Sequence, residues 1–235
     1  MKHYLGGYFL FRLKPFDWSP VSDVYTATNC LNEHLLGLWS YSWTTKTEPT
    51  NETFGLNEDR IEGLRRWVDQ QHRAGKIGWL NVFADLNTAR AYQRTFFPQL
   101  DGVKTVALYV AEPTADEIIR ALTPASKGWG EAGLYQTLLK KTPEIDSLNE
   151  LVIGYDLIGL EPGGDFHSFH CHGIGAELAE RFGLTLNRYG LFDDCADWTP
   201  VLNALNNGEI GAEPVPWYVA KMKLLAPLEA RQSFT

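Results

Sequence analysis

The 235-residue chain is poor in cysteine and methionine and has no long apolar run. Its three cysteines, Cys30, Cys171 and Cys195, are odd in number and form no C-x-x-C pair, which excludes a disulfide framework and points to a reducing cytoplasm. No stretch approaches the roughly 18 to 20 consecutive apolar residues that a membrane span requires. The opening MKHYLGGYFLFRLK has only a short apolar core, broken by two glycines and closed by Arg12 and Lys14, so it reads as a first strand and not as a targeting signal. There is no low-complexity tract and no internal repeat. A G-x-x-x-x-G-K-[ST] phosphate loop and a G-x-S-x-G serine elbow are both missing. GIGAEL (173–178) places Leu178 where a dinucleotide fingerprint needs its third glycine, and it stands far beyond the preceding strand. Nucleic acid is disfavoured as a partner by the lack of a basic stripe, since RRW at 65–67 belongs to one amphipathic helix.

What is present is an ordinary globular balance, 44% hydrophobic and 21% charged, in a chain long enough to bury a core. Periodicity predicts strands over 4–13, 77–84, 103–111, 148–161 and 215–225. It predicts helices over Val21–Trp43, from Asn57 to Gly75 or Gly78, over 87–97 with Asn87 or Thr88 as cap, and over 114–123, 133–141 and 198–208. TTKTEPTNETFG (44–55) is the clearest loop. Short helices between aromatic strands imply an α+β fold with a mixed sheet, an α/β arrangement being the variant. The expected organisation is one domain over 1–235, with a subdivision near 143–148, where KKTPEIDSLN interrupts the pattern, as the alternative.

Half of the six histidines fall in GGDFHSFHCHGIG (163–175), at His167, His170 and His172 around Cys171. The spacing of Phe166, Phe169, Ile174, Leu178 and Phe182 predicts a helix from about Asp165 to Phe182, with Asp165 as cap and Gly183 beyond its end. Gly173 and Gly175 oppose it by roughly 1 kcal/mol each relative to alanine, and a helix broken into two pieces there is the alternative. On a helix His172 points away from His170; on a strand His167 lies opposite the other two. Zinc or another divalent metal would therefore need an irregular backbone or a carboxylate from elsewhere, Asp165, Asp193 or Asp194 being the candidates. The plainer reading is histidines packed beside a phenylalanine stripe. Cys171 lacks a well-placed base in either geometry and reads as a structural thiol.

The net charge of −8 is unevenly spread. Residues 144–213 hold 13 Asp or Glu against Arg181 and Arg188, a net of −11. Such a field suits a basic partner or a cation. FDDCADW (192–198) concentrates Asp193, Asp194 and Asp197 before a helix, where Asp197 is positioned to cap and the pair to serve as ligands or contacts. Eight tryptophans are many, and Trp39 and Trp43 flank Tyr41 in an alternating W-S-Y-S-W. Trp39, Trp43, Asp193, Asp194, Asp197 and Trp198 are thus the candidate partner-binding residues.

The segments GGDFHSFHCHGIGAELAERFGLTLNRYGLFDD (163–194) and EPVPWYVAKMKL (213–224) resemble bacterial cytosolic proteins of the polymorphic-toxin immunity type. The resemblance implies a soluble, cytosolic, non-catalytic protein that covers the active face of a basic toxin without a cofactor. The alternatives are a metal-dependent hydrolase built on His167, His170 or His172 with Asp193 or Asp194, and a structural domain with no ligand.

Overall fold

A computed structural model describes residues 1–11, 57–78, 82–98, 103–123, 133–144, 150–160 and 166–226. Among them lie the strands β1 (His3–Phe11), β2 (Lys104–Ala111), β3 (Glu150–Leu160), β4 (Phe166–Ser168) and β5 (Trp217–Leu225). The helices are α1 (Glu58–Arg73), α2 (Leu86–Phe96), α3 (Glu112–Leu122), α4 (Leu134–Leu139), α5 (Gly175–Phe182) and α6 (Thr199–Asn206). The strands form one sheet in the order β1-β2-β5-β3-β4, and every neighbouring pair is antiparallel. The α+β class holds, whereas the expected mixed sheet becomes an antiparallel one among the described residues. The helices gather in groups on the sheet and do not serve as crossovers between adjacent parallel strands.

Alternation along the strands sends their side chains into separate cores. Val106, Leu108 and Val110 of β2 join Ile158, Tyr218, Ala220 and Met222 beneath Ile118 of α3 and Leu138 of α4. On the opposite face Leu157 and Trp217 pack with Phe169, Phe192, Leu178 of α5 and Val201 of α6. A third core joins Leu64 and Val68 of α1 to Tyr92 and Phe96 of α2 and to Leu10 of β1. Each such fully buried large side chain contributes roughly 1.5–3 kcal/mol. Because β2 pairs with β5, strands from both sides of residues 143–148 are hydrogen-bonded to each other.

Local chemistry sets most boundaries. Asn57 accepts from the Arg60 amide and starts α1, and Gly75 (φ 64°) turns the chain after it. Asp85, and neither Asn87 nor Thr88, caps α2: its carboxylate accepts from both the amide and the hydroxyl of Thr88 at 2.8 Å. The segment 77–84 supplies isolated bridges, Ile77 to Phe83 and Phe83 to Tyr8, in place of a full strand among the described residues. The expectations for Val21–Trp43 and for 44–55, and the capping role of Asp165, lie outside the described residues.

The histidine stretch departs most from expectation. It is not one helix: β4 runs into a 3₁₀ helix (Phe169–His172), and α5 begins only at Gly175. The Ser168 hydroxyl accepts from the His170 amide and so caps the 3₁₀ turn; Gly173 then enters the left-handed region (φ 64°) and breaks the run. The expected stop at Gly183 is observed, with φ 63°.

The sheet's two register shifts both occur beside glycines of positive φ, Gly7 (φ 149°) and Gly154 (φ 138°). At Gly154 a β-carbon would stand 2.7 Å from Leu191 Cβ and 2.9 Å from the Phe192 carbonyl oxygen. Gly154→Ala is therefore expected to destabilise the fold by at least about 1–3 kcal/mol, measured as a lower urea midpoint with an unchanged slope.

Candidate functional site

The close spacing that crowds His167, His170 and His172 in sequence does not bring all three together in space. His167 lies on β4 opposite Gly159, on the other side of the strand from its neighbour Ser168. His172 approaches His167 at 5.7 Å between ring centroids and meets the Trp217 ring edge-on at 5.8 Å. His170 instead stacks on Phe169 at 4.0 Å and is 3% exposed. Burial pushes His170 down to about 4, only partly offset by its hydrogen bond to the Gly190 backbone, so it stays neutral near pH 7.

Asp193 and Asp194 do not join them. Asp193 accepts from the Asn187 side-chain amide at 3.3 Å. Asp194 hydrogen-bonds Tyr155, whose hydroxyl is pushed up to about 12 by burial first and then by that carboxylate. Among the described residues no three His, Cys, Asp or Glu side chains converge as metal ligands. The zinc or divalent-metal arrangement of His167, His170 and His172 with Asp193 and Asp194 is not assembled, because strand alternation and the buried stacking of His170 turn the donors apart. Cys171 and Cys195 are both free thiols.

Asp193, Asp194, Asp197 and Trp198 lie in one stretch leading into α6. Asp197 accepts from the Thr199 amide at 2.9 Å and so satisfies the first backbone donor of α6, as its position suggested. Trp198 is half-buried, resting on Tyr155 (5.8 Å) and Phe192 (6.3 Å). The three carboxylates are exposed, and none forms an ion pair among the described residues. Trp39 and Trp43 lie outside the described residues.

Several other acids of the 144–213 segment are paired or buried, which charge counting does not reveal, while Glu177, Glu180 and Glu213 are exposed and unpaired among the described residues. Glu144 receives Lys221 at 2.8 Å and Lys223 at 2.6 Å, with His3 at 3.2 Å, and Glu150 lies 3.5 Å from Lys223. Burial alone would push the Glu144 carboxyl up, but the two lysines outweigh it and hold it below the usual range. Lys223, only 4% exposed, is likewise raised, its carboxylate partners outweighing burial. The signal was the pair Lys221 and Lys223, two residues apart in an otherwise apolar strand and hence on one face. Elsewhere Glu209 pairs with Arg181.

Asp156 is fully buried on β3. The Ser168 hydroxyl donates to its Oδ1 at 2.7 Å, while Oδ2 has no hydrogen-bond partner. Burial pushes Asp156 up to about 8 against the lowering effect of Ser168 and the Leu157 backbone, so it is mainly a neutral acid at pH 7. Only its two-residue spacing from Gly154 and Ile158 in an apolar strand marked it as inward-facing.

No family model, no curated protein and no solved structure matches this chain.

Two outcomes follow from these buried groups. Glu144→Gln leaves two lysines facing an uncharged amide, and is expected to cost about 3 kcal/mol in chemical denaturation; a loss below about 0.5 kcal/mol would show the cluster to be energetically idle. For Asp156 the folded state holds one proton more than the unfolded chain between the ordinary value of 3.8 and about 8. Its contribution thus falls as pH rises through that window and is lost above it. His170 acts in the opposite sense between about 4 and 6.5, where the unfolded state binds the extra proton. Asp156→Asn should match the parent near pH 4 and exceed it by a few kcal/mol at pH 8, on the order set by such shifts. Parallel melting-temperature profiles for the two proteins from pH 4 to 8 would contradict a buried neutral acid.

Proposed function

We propose that this chain is a non-enzymatic protein-binding module that neutralises a basic protein, in the manner of the immunity proteins its sequence resembles, and that it acts in the cytoplasm. The observation that supports the reading is the loop carrying Asp193, Asp194 and Asp197 beside Trp198. These three carboxylates are exposed and form no ion pair among the described residues, whereas Glu144 and Glu150 are matched to lysines and Asp156 is buried.

Each element has a distinct task. Surface carboxylates free of counter-charges steer a cationic partner and accelerate encounter, an effect that weakens as salt rises. Trp198 offers a ring already held by Tyr155 and Phe192, so little side-chain freedom is lost when a partner covers it. Asp197 keeps the loop in register through its bond to the first amide of α6. The partner's chemistry follows: a protein with a lysine- or arginine-rich face and an apolar recess for one indole.

The test is affinity capture with the intact chain against the triple variant Asp193→Asn, Asp194→Asn, Asp197→Asn. It removes the charge, while the asparagine introduced at the last of these positions can still accept from the Thr199 amide. A basic protein held by the parent and released by salt should be lost by the triple variant, and its association rate should fall about tenfold or more. Trp198→Ala should weaken the complex by about 2 kcal/mol or more, mainly through faster dissociation. Equal retention of every captured protein by parent and triple variant would sink this reading.

A further inference from the structure

We infer that the groove between α3 and the loop joining α6 to β5, lined by Tyr218, Glu117 and Glu213, binds a free aliphatic amine. The cavity is about 820 Å³, within the roughly 300–1,000 Å³ typical of small-molecule sites. Its lining contains two carboxylates and no lysine, arginine or histidine, so it is negative. Leu205, Ile210 and Val215 supply an apolar wall suited to methylene groups.

Tyr218 points to a ligand independently of the acids. It is 5% exposed, and among the described residues its hydroxyl makes no hydrogen bond. A hydroxyl that has no protein partner and belongs to a side chain lining the cavity is open to a hydrogen bond from a ligand that enters it. Burial, with Glu117 adding to it, raises Tyr218 to about 12, so it remains a phenol whose oxygen accepts from an ammonium. A cation of that kind meets both demands at once: its N–H groups donate to the phenol oxygen and the carboxylates, and its charge offsets theirs.

The groove is also preformed. Asn206 accepts from the Trp217 amide at 2.7 Å and donates to the Trp217 carbonyl at 3.3 Å, tying the end of α6 to the start of β5. The Trp217 indole donates to the Glu213 carbonyl at 3.0 Å and fixes that backbone. Asp193, Asp194 and Asp197 do not line the cavity, so this site is separate from the protein-binding surface.

The experiment is calorimetric titration of the full chain at low salt with spermidine, with a neutral diol of the same length, and with lysine blocked at its amino and carboxyl ends. Spermidine should bind saturably and the diol should not. Glu117→Gln and Tyr218→Phe should each weaken binding about tenfold, the loss expected for one charge-assisted hydrogen bond. The triple variant at Asp193, Asp194 and Asp197 should bind as the parent does. Tyr218→Phe deletes a hydroxyl that has no partner, so its melting temperature should be kept; should it fail to fold, Glu213→Gln replaces it. No saturable binding, or unchanged affinity in both Glu117→Gln and the second variant, overturns the site. Tighter binding of blocked lysine than of spermidine overturns the assignment to a free amine and moves the groove to the recognition of a protein side chain.

Discussion

Everything described here hangs on the position of β5. This strand follows the other four in the chain yet lies between β2 and β3, so both flanks of its backbone are hydrogen-bonded. One of its faces carries Tyr218, Ala220 and Met222 into the core under α3 and α4. The other carries Trp217 into the core under α5 and α6, and then Lys221 and Lys223 to their carboxylates. A central antiparallel strand covered on both faces cannot slip by one residue without exchanging these two sets of side chains. The pairing of lysines with Glu144 gives the register a polar check as well as an apolar one.

Electrostatically, the chain is less lopsided folded than it is as a string of letters. The acid-rich segment looks like a uniform field when counted, but the fold pairs some of its carboxylates with cations and protonates another. Exposed and without an ion pair among the described residues are Asp193, Asp194 and Asp197 in the loop before α6, where Trp198 stands beside them, together with Glu177, Glu180 and Glu213 elsewhere. No helix among the described residues is long and apolar enough to cross a membrane.

The legibility of the sequence follows the range of the interactions involved. Helices α1, α3 and α6 were readable because their boundary signals and apolar periodicity are local; Asn57, Gly75 and Gly208 act within a few residues of where they stand. The α+β class was readable for the same reason. The break near Gly173 was offered by the glycines themselves, but the antiparallel order, the strand at 166–168 and the fate of the histidines depend on strand pairing over long separations, such as Ser168 with Asp156 and β4 with β3. Hydrophobic spacing through Phe166, Phe169 and Leu178 is shared by a helix and by a strand-turn-helix, and only the partner strand decides between them. The loop of Asp193, Asp194, Asp197 and Trp198 was visible as composition. The Glu144 cluster and the groove at Tyr218 were not, since each assembles residues far apart in the chain.

The central placement of β5 also has a consequence for how the protein is made. Synthesis from the amino end delivers β2 and β3 with the intervening position in the sheet still empty, each offering an unpaired edge until β5 emerges. During that interval the nascent chain holds apolar strands with open hydrogen-bonding edges, the condition under which chains pair with one another and not with themselves. Residues 217–225 therefore act as an internal clasp that arrives late, and a ribosome that stalls before them releases an aggregation-prone product.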